Sequence, residues 1–287
     1  MWQSIADQIS ETLHSQFVIH DKHILCRDPD AKRMIVRDGD RALFVKFSLR
    51  HELDRLECQQ HCLEELLRYR TIRLPQPLCC GIAGDSAFLA MEYLPLHTGS
   101  ADEWFELGCA LAKLHQADIQ QMYGWDEDNY LGHSPQPNRW QKQWSTFYAE
   151  QRIGWLLQLV SEKHQLELAI DEVVDIVKRR LTHHHPKPSP LHGNLQSANI
   201  GFGPGGPLLF DPASFFGDRE VDLARLELDG NTPDAFFAGY NAIWPRDEGY
   251  QARRPLYQLG YQLQQYLEQG EPCRDAAEQG LRQLLAS

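Results

Sequence analysis

Short apolar runs punctuate the first third of the chain. Residues 33–36 and 41–47 flank the turn Asp38-Gly39-Asp40, and residues 86–93 follow Gly84-Asp85. Apolar runs that open on Asp/Gly turns predict antiparallel strands. Between them, Leu53, Leu56, Leu63, Leu66 and Leu67 recur at spacings near three and four within residues 52–70. That is the period of an amphipathic helix lying on a sheet. From Ala101 the pattern becomes helical, with apolar and charged faces over residues 103–115, 139–162 and 170–181. Tyr93-Leu94-Pro95-Leu96 and His97-Thr98-Gly99-Ser100 stand where the period changes, and their Pro and Gly predict a hinge and linker. The expectation is an α+β chain of two lobes. Residues 1–94 form a small antiparallel sheet plus one helix, residues 95–287 a mostly helical lobe, with the hinge near 91–95.

Composition narrows the function more than the fold. At 287 residues, 42% apolar and 24% charged, the chain is an ordinary globular protein, long for one core and comfortable for two lobes. No apolar run approaches the ~18 residues that would span a bilayer. Met1 to Ser10 lacks a basic and a hydrophobic region, so a cytoplasmic location is expected. Seven cysteines, an odd number, predict reduced thiols instead of a disulfide framework. A formal charge of −12 repels polyanions and argues against nucleic acid or an anionic membrane as a main partner.

The candidate chemistry concentrates in residues 190–213. A polar loop, His192-Gly193-Asn194-Leu195-Gln196-Ser197-Ala198-Asn199, leads into the apolar residues 200–202, a Gly/Pro turn and a second strand ending at Asp211. A hairpin of that length brings Asn199 and Asp211 to one end. An amide oxygen beside a carboxylate suits magnesium carrying a nucleotide phosphate. Upstream, Lys46 stands alone in the apolar strand Leu43-Phe44-Val45-Lys46-Phe47 and needs a partner or a substrate phosphate. Taken together in this order, these are the parts of a phosphoryl-transfer site.

Three longer strings carry a resemblance. His192-Gly193-Asn194-Leu195 with Asn199, Phe210-Asp211-Pro212-Ala213 and Gly217-Asp218-Arg219-Glu220-Val221-Asp222-Leu223-Ala224 resemble the catalytic loop, metal loop and following helix of the fructosamine (ketoamine) kinases. Residues 136–153 and 254–259 are similar to two further signatures of that family. The resemblance implies an aminoglycoside-phosphotransferase-like protein kinase fold, with ATP and Mg as cofactors. It also implies a small-molecule or protein-bound ketoamine substrate phosphorylated on a sugar hydroxyl. Carried over position by position, Lys46 would hold ATP phosphates and Asn199 and Asp211 the magnesium. The hinge Met91-Glu92-Tyr93-Leu94 would offer the Glu92 carbonyl and the Leu94 amide to adenine. Asp222 would anchor the catalytic loop, and Asp218 would help line the sugar site.

Some positions depart from the family pattern. Asn194 stands where the family has the catalytic-base Asp, Gln196 where it has Trp, and Ala198 where it has Gly. An amide oxygen accepts a hydrogen bond but has no useful basicity, and general-base help is typically worth about 10²–10⁴-fold in rate. The segment from Cys26 to Asp30 that should cover the phosphates has no glycine. Counting back from Leu74-Pro75, the partner of Lys46 falls on Gln59, with Glu57 available only if the helix shifts. Gly260-Tyr261-Gln262-Leu263-Gln264-Gln265 replaces a family helix bearing Asn and His. Two readings follow: a ketoamine kinase of reduced activity, or a pseudokinase that binds nucleotide, a glycated ligand or a protein without turnover. A kinase for another small alcohol is disfavoured by the 140–153 signature. Cys58, His61 and Cys62, the His183-His184-His185 tract and the pair Cys79-Cys80 are read as structural, with Cys26 the better reactive thiol.

Overall fold

The computed structural model describes residues 1–26, 32–117, 120–164 and 169–286. The first lobe is a five-stranded antiparallel sheet in the order β1-β2-β3-β5-β4. Its strands are β1 (Asp21–Cys26), β2 (Arg33–Asp38), β3 (Arg41–Leu49), β4 (Pro77–Ala83) and β5 (Ser86–Glu92). Gly39 and Gly84 turn the two hairpins with φ of 58° and 67°, a conformation that glycine adopts without a Cβ penalty. Helix α1 (Trp2–Leu13) covers one face of the sheet and α2 (Leu53–Leu67) the other. The expected single helix is thus joined by a second. Its buried Ile5, Ala6 and Ile9 sit at helical spacing, and Gln8 Nε2 donates to the Ile82 carbonyl at 3.2 Å.

Strand pleating sorts the sheet residues between these helices. Phe88 and Ala90 join Ile5, Ile9, Val45 and Phe47 in one core, while Ala87, Leu89 and Met91 join Leu56, Leu63 and Leu66 of α2 in another. The same parity puts Lys46, between Val45 and Phe47, on the α2 side.

After β5 the chain runs without regular structure to α3 (Ala101–His115), which opens on a Ser100/Glu103 capping box. The second lobe continues with the hairpin β6 (Asn129–Leu131) and β7 (Ser134–Gln136). A helical run follows, made of α4 (Trp144–Tyr148), a π turn (Ala149–Gly154) and α5 (Trp155–His164). This run was expected from residue 139 but starts at Trp144, because Gln141 and Tyr123 exchange backbone hydrogen bonds at 2.8 and 2.9 Å and hold the preceding segment extended. Next come α6 (Ile170–Leu181), β8 (Ser189–Pro190), the hairpin β9 (Ile200–Gly203) and β10 (Gly206–Leu209), and β11 (Phe216–Gly217). Helices α7 (Glu220–Leu228), α8 (Asp234–Ile243), α9 (Tyr250–Gln269) and α10 (Arg274–Ala286) complete the lobe. Helices α3 and α8 cross on Gly108 and Gly239, where a Cβ would stand 2.1 Å from the Phe236 carbonyl and 2.0 Å from that of Phe105. The fold is the expected bilobed α+β one. No described helix is long and apolar enough to cross a membrane.

Candidate active site

Lys46 is 7% exposed, and an ammonium so buried needs acceptors. It finds Gln59 Oε1 at 3.0 Å and Asp211 Oδ1 at 3.2 Å. Helix α2 therefore presents Gln59 to the lysine, as counting predicted, whereas Glu57 lines a separate cavity with Cys79 and Cys80. Gln59 Nε2 also donates to Asp211 Oδ1, closing a triangle among β3, α2 and the segment after β10. Arg33, opposite Lys46 in the β2–β3 register, adds a second cation 3.8 Å from Asp211 Oδ2. Burial would raise the Asp211 pKa. The Lys46 and Arg33 charges and the hydrogen bonds from Lys46 and Gln59 outweigh burial and hold the carboxyl below its ordinary range. Burial, with the Arg33 and Arg55 charges, pulls the Lys46 ammonium down despite Asp211.

The β9–β10 hairpin sets the other wall. The Phe210 amide donates to the Asn199 carbonyl at 2.9 Å, so Asn199 and Asp211 flank its open end. Asp211 itself has φ of 49°, a left-handed conformation uncommon outside glycine and often held at functional sites.

The loop bearing Asn194 is pinned from beneath by Asp222, which is fully buried on α7. Its carboxylate accepts the His192 amide at 2.7 Å and the Gly193 amide at 2.9 Å, and lies 3.1 Å from His115 Nε2. His115 Nδ1 is in turn 2.8 Å from the Tyr240 hydroxyl. Gly193 has φ of 76°, and a Cβ there would stand 1.9 Å from the Ala213 carbonyl, so only glycine lets the two loops approach. Burial lowers the His192 pKa and keeps the imidazole neutral, matching its Nδ1 as acceptor of the Asn194 amide at 3.3 Å. Asn194 Nδ2 donates to the Asp211 carbonyl at 3.0 Å, which leaves its Oδ1 as an acceptor. Asn199 Nδ2 donates to the Asn194 carbonyl at 2.9 Å, which likewise leaves the Asn199 oxygen as the possible ligand.

A cleft of about 410 Å³ lies between the lobes and gathers Lys46, Met91, Glu92, Tyr93 and Leu94 of the expected hinge, Asn199 and Asp211. Ile35, Phe44 and Phe210 supply apolar wall, and Arg33 and Lys46 mark its charged end. Its size suits a cofactor. A smaller cavity of about 60 Å³ shares Lys46 and Asp211 with the cleft and has Asn194, Asn129 and Arg55 in its wall. The Glu92 carboxylate is engaged by Arg73 at 3.3 Å, which ties the hinge to the segment before β4.

Asp218 falls elsewhere. It is buried and lines neither cavity, and its Oδ2 accepts the Tyr257 hydroxyl at 2.6 Å and lies 2.6 Å from His184 Nε2. Gln196 points its oxygen to Arg225, while Ala198 joins the cleft wall. Three supporting residues escaped the sequence reading. Arg33 was legible only from strand register, and His115 carried no local motif. Tyr261, whose hydroxyl donates to the Gly193 carbonyl at 3.0 Å, stood in a segment noted only for what it lacked. The glycine-free phosphate-covering segment falls mostly on residues 27–31, outside the described residues.

The fructosamine kinase family model matches residues 1–287. The "Probable ketoamine kinase" of Klebsiella aerogenes is 42% identical over 259 residues, 90% of this chain and 91% of its own. That of Vibrio parahaemolyticus is 39% identical over 279 residues, 94% of this chain and 97% of its own. A crystal structure from Haemophilus somnus, of a protein provisionally named a fructosamine-3-kinase, superposes with a TM-score of 0.94 at 32% identity, covering 99% of this chain and 98% of that one. The aminoglycoside phosphotransferase APH(4)-Ia, crystallised with AMP-PNP and hygromycin B, shares the fold alone, with a TM-score of 0.65 at 14% identity over 99% of this chain and 97% of its own. Sequence and fold agree over the full described length, and the chain belongs to the fructosamine kinase family.

Proposed function

We propose that the protein is an ATP-dependent phosphotransferase that phosphorylates the sugar hydroxyl of a small-molecule or protein-bound ketoamine, slowed by the amide at its base position. The observation that carries this is the joint presence of Lys46, Asn199, Asp211 and the hinge in one interlobe cleft, beside a loop pinned by Asp222. Adenine would pack between Ile35, Phe44 and Phe210 and bond to the backbone of Glu92 and Leu94. Lys46 and Arg33 would meet the phosphates.

The donor set of Asp211 carboxylate and Asn199 amide oxygen fits a hard cation such as magnesium. Bound there with the nucleotide, the ion would screen phosphate charge. Asn194 Oδ1 can accept the acceptor hydroxyl's hydrogen and orient its oxygen. It cannot take the proton, which must leave to a phosphate oxygen or to water. Positioning and charge stabilisation remain, and phosphoryl transfer rests largely on them.

The test is transfer of labelled phosphate from ATP to a fructosamine or ribulosamine by the wild type and by Asn194→Asp. Slow turnover is expected from the wild type, with kcat raised about 10²-fold or more in the variant, in line with what a general base contributes. No transfer by either protein overturns the proposal. The second reading, a pseudokinase, is favoured by the amide at position 194, which offers no base to the acceptor hydroxyl. It predicts nucleotide binding without turnover in the wild type.

A further inference from the structure

We infer that Gln59 makes this cleft a site for metal-free nucleotide polyphosphate, held by Lys46 and Arg33 directly and not chiefly through a divalent cation. The inference rests on the nucleotide reading above and concerns what chemical form of the ligand the chain prefers.

Charge is the first step. Around the phosphate end stand two cations, Lys46 and Arg33, and one anion, Asp211. An acid at position 59 would neutralise the group, but Gln59 leaves it with one positive charge to spare. Among the described residues, nearby acids do not make up the difference, since Glu57 faces the Cys79 and Cys80 cavity and Glu52 is committed to Arg55 at 3.1 Å and His133 at 2.9 Å. Asp211 can neutralise only one of its two neighbours, the buried Lys46 and the exposed Arg33, and the charge left over favours an anionic ligand. The phosphates themselves would supply what the side chains do not.

Competition is the second step. Asp211 Oδ1 already takes an N–H from Gln59 and one from Lys46 at 3.2 Å. A cation seeking that oxygen must displace, besides Lys46, the Gln59 N–H, a donor that no carboxylate at position 59 would have provided. Gln59 Oε1 meanwhile accepts from Lys46 at 3.0 Å, so the amide satisfies both neighbours with its two ends and has no reason to turn away. A glutamate in its place has no N–H to give. It would repel Asp211, free its oxygen for metal and cancel the spare positive charge.

Calorimetric titration with ATP in EDTA and with ATP in excess magnesium, on wild type, Gln59→Glu and Gln59→Ala, tests this. The wild type is expected to bind ATP in EDTA at least as tightly as with magnesium. Gln59→Glu should weaken binding in EDTA about tenfold or more and make magnesium the stronger condition. Gln59→Ala, which removes the amide but restores no charge, should weaken binding in EDTA less than Gln59→Glu does, and its melting temperature checks that the fold is intact. Wild-type binding that requires magnesium overturns the inference while the nucleotide reading stands. Absence of ATP binding under both conditions overturns both.

Discussion

Asp222 shows how much one buried side chain carries. Its carboxylate is the partner of the His192 and Gly193 amides and of His115, and none of the three has water to fall back on. Leaving buried donors unpaired costs roughly 1–3 kcal/mol each. Asp222→Ala is therefore expected to lower unfolding free energy by about 3–5 kcal/mol in urea titration and to release the Asn194 loop. The role of Asp222 was legible from its place in the family string. That His115 and Tyr240 back it was not, because α3 and α8 meet only in the folded chain. At the same scale, Lys46 stood out as a lone charge in an apolar strand, and Gln59 followed by counting along α2. The left-handed backbone of Asp211 and the cation from Arg33 left no mark in residue type.

Among the elements, strands with alternating or apolar runs and long amphipathic helices could be read directly, and β2, β3, β5, α2, α3 and α6 lie where the pattern put them. The exceptions have physical reasons. β1 is an edge strand with little buried surface, so its residues show no alternation, and the side-chain pattern of β4 is interrupted at Gly81, whose missing Cβ admits Gln8 of α1. The π turn within the 144–164 run is invisible to a 3.6-residue period.

The start of α2 is tied to the β6–β7 turn by Glu52, which accepts from Ser48, Arg55 and His133. Burial opposes the charge, but these donors prevail and hold Glu52 at about 2. A depressed carboxyl stabilises the fold above its unfolded pKa, near 4.5, and loses that contribution as pH falls toward 2. Glu52→Gln should thus unfold more easily than wild type at pH 6, by about 2 kcal/mol, with the gap closing between pH 4.5 and 2. A gap independent of pH would place the effect in packing. This contact joins the helix that carries Gln59 to the other lobe.

Across the whole molecule, the two lobes share one cleft, and the thiols are distributed unevenly around it. Burial pushes Cys58 and Cys80 up to about 12 and Cys62 to about 11, out of reach of ordinary labelling chemistry. Cys109 and Cys273 are half-buried, whereas Cys26, the exposed thiol among the described residues, stands in the cleft wall at the end of β1. The protein thereby comes with a built-in attachment point for a fluorophore at the mouth of its interlobe cleft. A maleimide dye at pH 7 should couple fastest there, Cys26→Ser should remove that fast phase, and ATP should slow it. Occupancy of the cleft could then be followed optically in a chain that has had no cysteine added.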